Sequence, residues 1–496
     1  MVRGHYLQLC ELVKDWPCLI KGNIRTEVLS ISENSKVVGE QIIFCAKQGQ
    51  QYNGMQFVSE AISNGAVCIV VDNEQFYESF QLEIPIVWVP NLRRFIAYAA
   101  AALNQFPTEA IQVVAVTGTN GKTSTTSFVY QLLSHLQKKV VLVGTNGLFY
   151  NGAPLNTKYS NLTTISAIEF QSLAKEAVKN QYDAVIIEAS SQGLAEHRLD
   201  YSTIDIGVFL NLSEDHIEWH GSKEKYKNAK LRLADLSKVL IVNNDDSFCK
   251  AVGLMTKKEV TTFSKQPTAQ LFYEKLNLEN SNTYCLQYKE EKAVCTFPFA
   301  PYFLIENAVA AIAICIKCGY SLQELSSIVP LLTLPEGRVE TFKDEKGTTI
   351  IVDYAHTANA LQALLSSLNM DREFLKIVFS CGGNRDQMKR KKMGEIASAY
   401  CGEIYLTTDN CRSENPIRIN EQIAEGFCED QKYEIILDRK TAIQKAILDS
   451  SQTHSVVIAG KGHETTQTIG NEVIPYSDIE VVKEIISTKA KNEKSL

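Results

Sequence analysis

The stretch IQVVAVTGTNGKT, residues 111–123, couples two signals of different kind. Its first half is an apolar, β-branched run of the sort buried in parallel sheets. Its second half is a short glycine-containing loop, and an amphipathic helix follows from Lys122 to about Leu136. Glycines in such a turn let backbone N–H groups face a phosphate, and the helix N-terminus adds partial positive charge. Lys122 can neutralise β- and γ-phosphates, and the Thr123 hydroxyl can ligate Mg²⁺. The loop is a shortened form of G-x-x-x-x-G-K-[ST], because Val116 occupies the first glycine position. The competing reading is a tight strand-to-helix turn with an incidental lysine. Both flanks favour phosphate binding through Gly118, Thr119, Asn120, Gly121, Lys122 and Thr123.

Outward from this loop the chain alternates strands and helices. KVVLVG, a helix from Ser166 to Asn180, DAVIIEAS, DIGVFLN, a helix from Ser222 to Leu236 and KVLIVNN follow in order. Such alternation predicts a parallel sheet covered on both faces. Residues 269–297 are more β-rich, and helices Phe303–Lys317 and Leu322–Ile328 close the region. A second alternating series comprises TTIIVDY, LKIVFS, EIYLTT, YEIILD and SVVIAG, with helices from Ala358, Lys391, near Glu421, Thr441 and Ser477. Upstream, IIFCA, AVCIVV and PIVWVP surround a helix in MQFVSEAISNG, and another helix spans Leu92–Leu103. The expected organisation is α/β in three domains: a small mixed N-terminal domain (1–106), a central P-loop-type parallel-sheet domain (107–335) and a second alternating α/β domain at the C-terminus (336–496). The polar tail after Lys489 is expected to fray.

Composition narrows the classes. The 496 residues are 45% hydrophobic and 22% charged, as in ordinary globular chains, which argues against disorder and coiled coil. Fifty Lys and Arg against 57 Asp and Glu give a net charge of −7, without the basic footprint of a nucleic-acid binder. No apolar run approaches the length of a membrane span, and residues 1–15 mix charges unlike a signal peptide. Thirteen scattered cysteines fit a reduced, cytoplasmic compartment better than a disulfide framework. Cys315 and Cys318 form a C-x-x-C inside an apolar helical pattern, and helix core outweighs redox or metal chemistry there.

Two further residues stand at strand ends. Glu188 closes DAVIIE, well placed to hold Mg²⁺ beside a phosphate loop, or else a solvated strand end. His216 lies in NLSEDHIEWHG, residues 211–221, either a metal ligand or a loop residue, with the loop reading slightly favoured from sequence alone.

Taken together these segments resemble the Mur ligase family, the ATP-dependent amide-forming enzymes of peptidoglycan precursor assembly. GTNGKT is joined by LTT (162–164), EASSQGL-x-x-x-R (188–198), NLSEDHIEWHG, GRVE (337–340) and DYAHT (353–357). CGGNRD-x-x-KR (381–390), DNCRSENP (409–416) and AGKGHE (459–464) complete a collinear set across the central and C-terminal regions, while IFCAKQG and NGMQFVSEAISNGA match loosely upstream. The resemblance is to the members that add the third amino acid. It implies that residues 1–106 are a UDP-binding N-terminal domain, 107–335 a central ATPase domain and 336–496 a Rossmann-like amino-acid-binding domain, with phosphoryl transfer from ATP to the D-Glu carboxylate of UDP-MurNAc-L-Ala-D-Glu and then attack of an amino-acid amine on the acyl phosphate.

The resemblance also implies roles for single residues. Lys122, Lys230 and His216 become catalytic, and Thr123, Glu188, His216 and Lys230 hold Mg²⁺. Lys230 matches a lysine carried as a carbamate, although YKNAKLRL alone reads as a solvated helix. Asn307, Arg338, Asp353 and His356 match the nucleotide site, with Asp353 suited to a ribose hydroxyl. Ser35, Thr163, Thr164, Ser190, Glu196 and Arg198 match contacts to the UDP-sugar peptide. Arg385, Asp409, Asn410, Arg412, Gly460 and Glu464 match the amino-acid site. Several positions depart from the family pattern: Gln192 replaces a His, Asn34-Ser35-Lys36 a DSR, Leu304 an Asn, Glu196 a Gln, Asn384 an Asp and Cys411 a Pro.

Family members that use meso-diaminopimelate carry Arg at the position of Arg412 and lysine-adding members usually do not, so the resemblance implies meso-diaminopimelate. The physics agrees, because an Arg fork can grip the distal carboxylate that lysine lacks. The alternatives are a lysine-adding, D-Ala-D-Ala-adding or folylpolyglutamate-type ligase, or a non-catalytic scaffold. The expected partners are UDP-MurNAc-L-Ala-D-Glu, meso-diaminopimelate and ATP with Mg²⁺, and the expected state is a cytoplasmic monomer without nucleic acid or membrane span.

Overall fold

The structure is a computed structural model that describes residues 6–49, 52–79, 81–150, 153–154, 159–160, 162–278 and 282–493. The chain packs as two compact units. One comprises Met1–Gly118, Val129–Phe209 and Lys227–Thr262; the other comprises Thr119–Phe128, Leu210–Tyr226 and Phe263–Leu496.

In the first unit, parallel strands Ser30–Ser32, Ile42–Cys45, Cys68–Val71 and Ile86–Trp88 line up edge to edge, with Leu19–Lys21 antiparallel beyond the last. Their apolar faces are covered on one side by helix Leu92–Leu103 and on the other by helix Val58–Ser63. Asn91 caps the longer helix by accepting from Arg94 N.

The phosphate-loop strand, Gln112–Thr117, lies between Ala184–Glu188 and Ile204–Phe209, parallel to both. Val140–Gly144 and Ser237–Asn243 extend this parallel array. Every residue of Ala184–Glu188 and Val140–Gly144 is buried, as expected of apolar strands covered on both faces, and the one charged residue among them, Glu188, stands at a strand end. The hairpin strand Gly147–Tyr150, which reverses the direction of the edge, carries too little pattern to be legible in advance.

In the second unit, Thr349–Asp353, Ser455–Ala459, Leu375–Phe379, Glu403–Leu406 and Lys432–Ile435 form a parallel sheet in that spatial order. Glu340–Lys343 adds an antiparallel edge. The C-terminal ends of four of these strands open into the loops at 353–357, 380–386, 407–412 and 460–464, the place where open α/β sheets put ligands. The predicted helix from Lys391 begins at Met388, and the last helix, Asp478–Glu493, reaches into the tail expected to fray, as far as Glu493. Residues 494–496 lie outside the described residues. All thirteen cysteines are free thiols; Cys315 is buried in helix Tyr302–Lys317 and Cys318 caps its end. Among the described residues no helix is long and apolar enough to cross a membrane.

Candidate active site

In the first unit, Glu188 ends its strand almost fully buried. Its carboxylate accepts from Thr145 N at 2.9 Å and from Thr145 Oγ1 at 3.0 Å, and Thr145 Oγ1 lies 3.1 Å from Thr163 Oγ1. Thr164 donates to the Glu188 carbonyl at 2.6 Å and accepts from Ser190 N at 2.9 Å. Arg198 Nη1 donates to the Thr164 carbonyl at 2.5 Å, while its Nε and Nη2 donate to Glu196 Oε2 at 3.0 and 2.6 Å. Burial works against the Glu196 charge, but the Arg198 bonds outweigh it and hold the carboxyl below its ordinary range. Thr163, Thr164, Ser190, Glu196 and Arg198 therefore form one network that also reaches Glu188. Ser35 stands apart from it in a buried 3-10 turn, its hydroxyl bonded to Glu60.

Lys230 corrects the reading of its helix as solvated. It sits on helix Lys223–Leu236 with 1% of its surface exposed, its Nζ 3.5 Å from Thr117 Oγ1. Sequence could not show this because charged neighbours dominate YKNAKLRL, and only the helix's inward face decides.

In the second unit, the phosphate loop is clamped by the loop that begins NLSEDH. Asn211 Oδ1 accepts from Asn120 N at 2.9 Å, and Asn211 Nδ2 donates to the Asn120 carbonyl at 3.0 Å. Thr119 Oγ1 accepts from Ser213 N at 2.9 Å and lies 2.8 Å from the Tyr226 hydroxyl. Lys122 Nζ donates to the Thr119 carbonyl at 3.1 Å, folding the lysine back over the loop. Gly121 has φ +89°, and Asn307 is buried against it. Thr123 is buried, and Arg338 Nη2 reaches its hydroxyl at 3.3 Å.

His216 lies in the loop just before the short helix Ile217–His220, as its N-cap residue, with φ +53°. Its Nε2 lies 3.3 Å from Asp215 Oδ2. Burial pushes the imidazole down to about 4, and the Asp215 charge only partly opposes this. A neutral imidazole is the form that can ligate a metal. His356 Nε2 approaches the same Asp215 oxygen at 4.0 Å, and burial lowers that imidazole too.

Asp353 is buried, with Oδ2 accepting from Val339 N at 2.9 Å and Oδ1 from Ala355 N at 2.7 Å. Burial raises its pKa, with Arg338 and the two amides opposing. Val339 has φ +49°, a strained state for a β-branched residue, and the Asp353 bond helps hold it there. Arg338 next to it lies 4.5 Å above the Tyr354 ring.

The remaining residues gather at the strand ends of the C-terminal sheet. Arg412 Nη1 donates to the carbonyls of Gly383 at 2.8 Å and Asn410 at 3.2 Å. Burial lowers the Arg412 pKa, and the neighbouring Arg385 charge lowers it further. Asn410 Nδ2 donates to Glu464 Oε2 at 2.9 Å, and Asp409 is buried beneath. At Gly460, φ is +115° and a Cβ would meet Asp409 Oδ2 at 2.8 Å. Cys411, where the family pattern has Pro, is buried, and its carbonyl presses so closely on Gly383 that a Cβ there would stand 1.9 Å away.

Sequence reasoning missed Thr145, Asn211, Tyr226 and Lys461, all bonded to expected site residues. Asn211 and Lys461 lay inside quoted motifs, but their partners come from other loops. Among the described residues no group of three or more His, Cys, Asp or Glu side chains forms a metal site; the expected Mg²⁺ set contains only two such residues.

Residues 116–315 match the Mur ligase middle domain, and residues 337–462 match the Mur ligase glutamate ligase domain. The chain is 33% identical over 489 residues to the UDP-N-acetylmuramoyl-L-alanyl-D-glutamate–2,6-diaminopimelate ligase of Caldanaerobacter subterraneus subsp. tengcongensis, covering 98% of this chain and 100% of the relative. The protein of that name from Bacillus cereus is 31% identical, with 99% of each chain covered. A solved structure of a ligase of the same name superposes with a TM-score of 0.68 at 29% identity, covering 98% of this chain and 100% of the other. A D-alanyl-D-alanyl ligase from Acinetobacter baumannii shares the fold at 17% identity and TM-score 0.61, covering 93% and 96%. Similarity of this extent, with both domain matches falling on the loops just described, makes the assignment direct: the chain belongs to the Mur ligase family.

Proposed function

We propose that this protein is the ATP-dependent ligase that joins meso-diaminopimelate to UDP-MurNAc-L-Ala-D-Glu through an acyl phosphate. The observation that carries the choice of amino acid is Arg412, held by two backbone carbonyls beside Arg385. Near full-length similarity to ligases named for that reaction supports it. The residues divide the work. The loop amides from Gly118 to Gly121 cradle phosphate, and Lys122 swings from the Thr119 carbonyl to the transferring group. Asn307, Arg338, Asp353 and His356 hold the nucleotide. Thr163, Thr164, Ser190, Glu196 and Arg198 hold the UDP-sugar peptide, with Ser35 toward the uridine. Arg385, Asp409, Asn410, Arg412, Gly460 and Glu464 orient the amino acid for attack.

For Mg²⁺, the family resemblance assigns Thr123, Glu188, His216 and Lys230: hydroxyl and carboxylate oxygens are the hard donors such an ion prefers, and a neutral imidazole can also ligate it. The ion would neutralise charge on the phosphates. Lys230 matches the lysine that family members carry as a carbamate, and carbamylation would turn its buried ammonium into an oxygen anion. The domain limits 1–106, 107–335 and 336–496, the cytoplasmic location and a monomeric state belong to the same reading.

The test is ADP release with UDP-MurNAc-L-Ala-D-Glu and a panel of amino acids. Turnover should depend on diaminopimelate and vanish in Lys122→Ala. Release that is independent of the amino acid, or a fully active Lys122→Ala enzyme, would refute the reading.

A further inference from the structure

Lys461 has no exposed surface, yet it stands two residues past the end of strand Ser455–Ala459 and carries a charge into the floor of the C-terminal loops. Its Nζ donates to Glu464 Oε2 at 2.8 Å and to Asn410 Oδ1 at 3.3 Å, and it lies 3.9 Å from Asp409 Oδ1. The ammonium thus addresses three acceptors on two different loops. Asn410 completes the arrangement. Its Nδ2 donates to the same Glu464 oxygen at 2.9 Å, and its Oδ1 also accepts from Thr468 N at 2.9 Å.

The geometry points to Lys461 as a positioning residue that sets the orientation of Glu464 and Asn410 and thereby the affinity for the amino-acid substrate. This rests on the amino-acid pocket assigned in the proposed function. Three features carry the argument. First, a fully buried ammonium is retained only where acceptors compensate its desolvation, and here they are all site residues. Second, both bonds to Glu464 go to Oε2, so Oε1 keeps its capacity to accept from a substrate ammonium. Third, the cation stands within ion-pair distance of both Glu464 and Asp409, so it offsets two like charges that would otherwise repel. Gly460 fits the same device, because a Cβ there would crowd Asp409 Oδ2, the carboxylate next to Lys461.

The experiment is a double-mutant cycle on the full-length enzyme, with KM measured separately for the amino acid, ATP and UDP-MurNAc-L-Ala-D-Glu. The amino acid is whichever one the wild type accepts. Lys461→Met should raise the amino-acid KM about tenfold to a hundredfold, as loss of a group that orients a ligand-binding side chain does. The other two KM values should stay within about twofold, since uniform binding is lost for one substrate only. In a Glu464→Gln background, Lys461→Met should add little, because the lysine acts through that carboxylate. If Lys461→Met is insoluble, Lys461→Gln reads the same cycle. An unchanged amino-acid KM, an equal rise in all three KM values, or fully additive effects would overturn the inference. A wild type that prefers another amino acid overturns the selectivity proposed above and leaves this cycle intact.

Discussion

A Cβ placed on Gly121 would stand 2.3 Å from Asn307 Oδ1. Asn307 is buried in helix Tyr302–Lys317, and its side-chain amide would have to turn aside to make room. The φ of +89° at Gly121 adds a second obstacle, since an L-residue is strained there. Gly121→Ala should therefore displace the phosphate loop while the sheet below stays folded. We expect a loss of about 10²-fold or more in kcat/KM for ATP, the scale of an ångström-sized misplacement of reacting groups. Wild-type kinetics with a folded circular-dichroism spectrum would contradict this.

Lys230→Ala should be inactive, because it removes the buried side chain proposed to become a metal-binding anion. Formate or acetate at high concentration should restore part of the activity by occupying the vacated space. Wild type equilibrated with ¹³C-bicarbonate should show a carbamate resonance that Lys230→Ala lacks. An active enzyme without that resonance would remove the modification from the mechanism.

Asp200 gives a pH-dependent stability. It is buried, accepts from Arg232 Nη2 at 2.6 and 2.8 Å, and lies 2.8 Å from His197 Nδ1. Burial alone would raise its pKa, but the bonds from His197 and Arg232 outweigh this and hold it below the ordinary value. A depressed carboxyl stabilises the fold above its unfolded pKa of about 4, and that contribution is lost as pH falls through the lower folded value. Arg232→Ala should cost about 1.5–3 kcal/mol near neutrality, as for a lost charged hydrogen bond. The gap between mutant and wild-type urea midpoints should close in acid. A gap that is constant from pH 7 to pH 3 would show that Arg232 acts through packing alone.

How much of this was legible depends on range. The apolar run 112–117 and the loop after it announced themselves because the signals are adjacent in sequence. Helices Leu92–Leu103 and Leu322–Ile328 have the limits that their apolar periodicity predicts. The antiparallel strands Gly147–Tyr150 and Glu340–Lys343 were not legible, being short and only partly buried. Nor was the burial of Lys230, or the convergence of Lys461 with Asn410, 51 residues apart in sequence. Those depend on which side chains meet across the fold, which local pattern does not encode.

Arg412 is where selectivity is expected to reside. Its backbone has φ +50° and is pinned on both sides: its N–H donates to the Thr468 carbonyl at 3.2 Å, and its carbonyl accepts from Gly470 N at 2.7 Å. Its Nη1 is committed to two backbone carbonyls, so the guanidinium is pre-oriented with donors left for a carboxylate. Burial and Arg385 already make this cation less comfortable, and a substrate carboxylate relieves both costs. Diaminopimelate supplies that group and lysine does not. A site built around a polar partner rejects analogues lacking it by up to about 10⁴–10⁵, less where the site is partly exposed, as here. Arg412→Ala should raise the diaminopimelate KM and narrow its advantage over lysine. Arg412→Lys should restore charge but not the fork held by Gly383 and Asn410, and so rescue only in part. The measurement is kcat/KM for both amino acids in wild type and both variants. A wild-type preference for lysine, or no change in Arg412→Ala, would mean that Cys411 has turned this loop away from the substrate.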